Sequence, residues 1–90
     1  MHPDTRKYLE QHRIHLVGNA HLDPVWLWRW REGFSEVKAT FQSALDRLRE
    51  FPGFVFTCAG ACYYKWVETN CPAMFSEIRK YVAEGRWVPV

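Results

Sequence analysis

From residue 13 to residue 23 the chain alternates. Ile14, Leu16, Gly18, Ala20 and Leu22 are apolar or small, and His15, Val17, Asn19, His21 and Asp23 fall between them. Successive side chains of a strand point to opposite faces. The alternation therefore predicts a strand over residues 13–23, with one greasy face and one that turns polar toward its C-terminal end. The period then changes. Phe34, Val37, Phe41, Ala44, Leu45, Leu48 and Phe51 recur at helical spacing, which predicts a helix over residues 35–50 that Pro52-Gly53 stops. A second apolar run, FVFTCA, predicts a strand over 54–59, and a helical stretch follows over 61–68. Thr69-Asn70-Cys71-Pro72 breaks it, and Pro72 is placed to open another helix, which runs to residue 84 and ends at Gly85. Residues 86–90 begin a third strand, and residues 1–12 form a polar lead-in with some helical character.

Strands separated by helices imply parallel pairing and right-handed β-α-β crossovers, so the fold class is α/β in the order β-α-β-α-β. Parallel strands are normally covered on both faces. The helices here suffice for one face. The expectation is the opening portion of a larger parallel barrel or sheet, incomplete within residues 1–90, rather than a small complete three-layer domain.

Composition narrows the picture. The 90 residues hold one small domain at most, and with 48% hydrophobic and 17% aromatic residues disorder is excluded. The net charge is only +2, with both signs spread along the chain, so no field for nucleic acid or anionic lipid exists. No apolar stretch is long enough to span a bilayer, and the first residues lack the apolar core of a secretory leader. Three cysteines, an odd number in a chain that looks unsecreted, argue against a disulfide framework, and the expected location is cytoplasmic. Cys58 reads as a buried thiol. Paired with Cys62 it could form half of a thiolate metal site, but no second pair completes one.

The candidate chemistry sits in HLDPVW, residues 21–26. His21 and Asp23 occupy alternate positions at the end of the first predicted strand. Side chains at i and i+2 share a face there, and imidazole nitrogen and carboxylate oxygen are ordinary zinc ligands. Functional groups of α/β barrels gather at the C-terminal ends of their strands. In isolation the pair is a weak signal, because a histidine at a strand end more often makes a structural hydrogen bond, and zinc needs three or four protein ligands. WLWRW sets Trp26, Trp28 and Trp30 at alternate positions beside Arg29 and Arg31. Such a run can stack on sugar rings, stack on single-stranded nucleic acid, or pack a loop against the rim of the fold. The small basic excess disfavours nucleic acid, and packing is the simpler reading for Trp28 and Trp30. Tyr63, Tyr64 and Trp66 read as core. Glu32, Glu36 and Asp46 read as solvated carboxylates.

The longer string GNAHLDPVWLWRWREGF resembles the N-terminal signature of glycoside hydrolase family 38, the retaining α-mannosidases. SALDRLREFPGFVFTCAGACYYKWVE and IRKYVAEGRWVPV are similar to the segments that follow it, so the resemblance covers nearly everything from Arg13 onward. It implies a seven-stranded α/β barrel with a divalent ion, usually zinc, at its mouth. It implies that His21 and Asp23 are ligands to that ion, which contacts hydroxyls of the mannose, and that Trp26 lines the subsite of the sugar being cleaved. It further implies that the other ligands, the nucleophile and the general acid come from later in the polypeptide. No catalytic residue is then assigned here, and the 90 residues alone are expected to be inactive. The implied partners are an α-mannoside and the remainder of the barrel, with self-association of the isolated segment through its open edge. Two other readings stay open at this point: a non-catalytic carbohydrate-binding or interaction fragment, and a barrel like that of metal-dependent polysaccharide deacetylases.

Overall fold

The computed structural model describes residues 2–90. The elements run α1 (Pro3–Gln11), β1 (Gly18–Ala20), α2 (Trp30–Glu50), β2 (Phe56–Cys58), α3 (Ala61–Asn70), α4 (Pro72–Ala83) and β3 (Trp87–Pro89). The three strands form one parallel sheet in the order β1-β2-β3. This is the predicted β-α-β-α-β order, preceded by a helical lead-in that buries no residue of its own.

The register aligns Ala20 with Cys58 and Phe56 with Trp87. Cys58, Phe56 and Trp87 are buried and meet Val37, Phe41, Leu45 and Leu48 of α2, Val67 of α3 and Ile78 of α4 in one core. Its centre is aromatic. Trp87 stands perpendicular to Phe41 at a centroid distance of 5.0 Å and steeply inclined to Phe56 at 4.6 Å, both edge-type pairings that suit ring quadrupoles. The alternate row, Asn19, Thr57 and Val88, lies on the other face of the sheet, where Asn19 and Val88 are exposed. Helices cover one face, as the sequence predicts.

Several boundaries differ from expectation. The strand predicted over 13–23 is paired only at Gly18–Ala20, because β1 is an edge strand whose one neighbour is itself three residues long. Without a partner, residues 13–17 are irregular, and Ile14 and Leu16 of the supposed greasy face stand 65% and 89% exposed. The strands expected over 54–59 and 86–90 likewise shrink to their paired centres.

The helix expected from residue 35 begins at Trp30. Its first turn buries only Gly33, which carries no hydrophobic signal, and Glu32 holds the turn by accepting the Arg29 N–H at 3.1 Å. Phe51 is exposed rather than core, because the helix ends at Glu50 and Phe51 is already extended. One strut has no hydrophobic signature. The Arg86 guanidinium donates to the carbonyls of Leu48 and Phe51 at 2.7 Å each and of Phe54 at 3.3 Å, closing the C-terminal end of α2 onto β3.

Candidate functional site

The site begins where β1 stops pairing. Ala20 is the last residue in the ladder, so His21 and Asp23 lie just past the strand rather than on it. Pro24 has no N–H with which to extend the pairing, and residues 24–28 bend back toward the start of α2. The alternation still places side chains correctly over this short span. Ala20 and Leu22 turn inward against the core, while His21 turns out.

His21 and Asp23 come together. Nε2 of His21 and Oδ1 of Asp23 are 3.6 Å apart, with the side chains 86% and 48% exposed. Two donors bound at about 2.1 Å to one tetrahedral ion stand roughly 3.4 Å apart, so the separation suits a shared ion as half of its shell. Among the described residues no group of three or more His, Cys, Asp or Glu side chains gathers to complete such a shell. Cys58 and Cys62 do not behave as a matched pair, since Cys58 is buried and Cys62 exposed, and burial pushes the Cys58 thiol up from its ordinary value.

The three tryptophans diverge in role. Trp26 is 67% exposed and presents its ring edge-on to Trp28 at 6.4 Å. Trp28 is half-buried, and its Nε1 donates to the carbonyl of Asp23 at 2.8 Å. Trp30 leans on Trp66 at 6.0 Å, with the Arg31 guanidinium 5.7 Å from its ring. Packing thus accounts for Trp28 and in part for Trp30, and leaves Trp26 the most exposed of the three rings, on the loop that follows the His21–Asp23 pair.

Two groups near the pair carry no sequence motif. Tyr63 reaches from α3 to donate its hydroxyl to the carbonyl of Leu22. Burial, followed by the nearby Cys62, Cys58 and Asp23, raises the Tyr63 phenol above its ordinary value, so the proton it donates stays on the oxygen. Gly33 lies against the carbonyl oxygen of Pro24, and a Cβ there would stand 2.1 Å from it. Helical spacing marks Tyr63 only as core, and a glycine in a helix turn signals close approach without saying to what. The carboxylates of Glu32 and Asp46 are engaged elsewhere. Glu32 caps α2, and Asp46 accepts from Gln42 and Arg49 at 3.1 and 2.8 Å.

A family model described as the glycosyl hydrolases family 38 N-terminal domain matches residues 11–90. Alpha-mannosidase 2C1 of Homo sapiens is 34% identical over 80 residues, which cover 89% of this chain and 8% of that protein. Alpha-mannosidase G of Dictyostelium discoideum is 29% identical over 79 residues, covering 88% of this chain and 7% of that protein. The chain therefore spans less than a tenth of the length of the curated relatives it matches.

Proposed function

Because the chain belongs to glycosyl hydrolase family 38, through its N-terminal domain, we propose that it forms the first wall of the active site of an α-mannosidase. In this reading His21 and Asp23 hold a divalent ion, zinc by the nature of the donors, and Trp26 lines the sugar subsite. The observation that carries it is the 3.6 Å approach of Nε2 and Oδ1 at the C-terminal end of β1, where barrel enzymes place their chemistry. Such an ion supplies Lewis-acid contacts to sugar hydroxyls when bound. His21 must offer the lone pair of a neutral imidazole and Asp23 an ionised carboxylate. Trp26 offers an exposed flat ring on which the apolar face of a pyranose can rest.

The sheet supports the barrel reading. Three parallel strands carry their helices on one face, and both outer strands have a free edge at which further strands can pair. The uncovered row of Asn19, Thr57 and Val88 would then face the barrel interior.

Retaining hydrolysis needs two carboxyl groups roughly 5–5.5 Å apart across the scissile bond. Glu32 and Asp46 are occupied in α2, and in this reading the nucleophile and acid come from later in the polypeptide, as the resemblance to the family implies, so these residues by themselves cleave nothing. The three unpaired thiols support a cytoplasmic location. Among the described residues no helix is long and apolar enough to cross a membrane. Membership of the family sets the deacetylase-like barrel aside.

The test is paired substitution in the full-length protein. His21→Ala should remove most of the bound zinc and abolish cleavage of an aryl α-mannoside. Trp26→Ala should keep the zinc and weaken substrate handling. Full zinc and full activity in His21→Ala would return His21 to the role of a structural histidine.

A further inference from the structure

We infer that Trp28 and Tyr63 are positioning residues for the His21–Asp23 pair, with Gly33 as the notch that lets them act. The inference rests on the metal reading above. Within this segment the side chains around the two proposed ligands leave them 86% and 48% exposed, so its packing does little to orient them. What this segment contributes to their geometry therefore comes through its main chain. The sheet cannot provide that, because the ladder ends at Ala20.

Three consecutive carbonyls provide it instead. The carbonyl of Leu22, between the two ligands, accepts the Tyr63 hydroxyl from α3. The carbonyl of Asp23 accepts Trp28 Nε1 at 2.8 Å. The carbonyl of Pro24 seats against α2 at Gly33, where the missing Cβ leaves the room it needs. The three supports come from three parts of the chain, and none is a strand hydrogen bond. Together they fix the peptide planes on either side of Asp23, and with them the direction in which Asp23 leaves the backbone beside His21. Groups of this kind, one step removed from a metal, usually alter affinity by about 10–100-fold when they are lost.

The experiment uses the full-length protein and two readouts besides activity: zinc affinity by competition with a chelator, and the visible absorption of the cobalt-substituted site, which reports ligand geometry. Tyr63→Phe removes only the hydroxyl, and Trp28→Phe removes the indole N–H. Each should weaken zinc binding by about 10–100-fold and shift the cobalt bands. Tyr64→Phe is the control, since it loses part-buried hydrogen bonds away from the pair, 2.6 Å to the Cys58 carbonyl and 3.0 Å from Trp87 Nε1. It should lower the melting temperature and leave zinc affinity and spectrum unchanged.

If Tyr63→Phe and Trp28→Phe melt lower but bind zinc as the parent does, while His21→Ala loses it, the two residues are structural only and the inference falls. If His21→Ala also keeps its zinc, the metal reading itself has failed. Should Trp28→Phe not fold, Tyr63→Phe decides the matter alone, because it keeps the ring and the packing.

Discussion

Gly33→Ala sets two physical effects against each other. In a helix interior alanine is favoured over glycine by about 1 kcal/mol, so propensity alone predicts a stabilised protein. The structure predicts the reverse. A Cβ at residue 33 would stand 2.1 Å from the Pro24 carbonyl oxygen and 3.0 Å from its carbonyl carbon. An ordinary carbon–oxygen contact is longer by about 1 Å. Both sides of the clash are main chain, α2 on one and the residue following Asp23 on the other, so no side chain can swing away to relieve it. Overpacking of this kind costs about 1–3 kcal/mol. A main-chain clash this deep belongs in the upper part of that range, about 2–3 kcal/mol, so after the propensity gain of about 1 kcal/mol the net expectation is a loss of about 1–2 kcal/mol.

Urea unfolding of the chain, followed by tryptophan fluorescence, should show a midpoint about 1 M lower for a small domain. Gly53→Ala is the control, because nothing lies within 4 Å of a Cβ there; it should be neutral or slightly stabilising. A Gly33→Ala protein that unfolds at higher urea than the parent would mean that the 24–28 loop does not rest on α2. The carbonyl clamp around the candidate ligands would then lose its third support.

Arg86→Met should cost about 2 kcal/mol in the same assay, because a guanidinium bonded to three carbonyls is replaced by a side chain that bonds to none. Stability should also fall in alkali. Burial raises the Cys58 thiol above its ordinary 9.0, and Tyr63 and Tyr64 above 10.0, so the folded state holds these protons more tightly than the unfolded chain does. Below pH 9 both states keep them and stability is full; as pH rises through 9 and then 10 the unfolded chain ionises first and stability is lost. Cys58→Ala should remove the earlier part of that decline in urea titrations across the range. The isolated 90-residue chain should self-associate, because Leu16 and Leu27 are 89% and 81% exposed and the outer strands have free edges. A stable monomer by light scattering at micromolar concentration would contradict this.

Periodicity determined the order of elements, the parallel α/β class, the covered face and most of the core, since each follows from which side chains recur on one side of a helix or strand. The stop at Gly85 was readable because its positive φ, 75°, suits glycine. The HLDPVW string, with its surroundings, was enough to nominate His21, Asp23 and Trp26. Tertiary structure alone decided how much of that pattern became paired strand. A hydrogen-bond ladder needs a neighbour, and alternation in residues 13–17 cannot supply one. It also decided to what use particular polar groups and glycines were put. Arg86 on the α2 carbonyls, Tyr63 on the carbonyl of Leu22 and Pro24 in the Gly33 notch join residues 9 to 41 positions apart. Contacts of that range leave no periodic trace, because they depend on where the chain returns rather than on its local spacing.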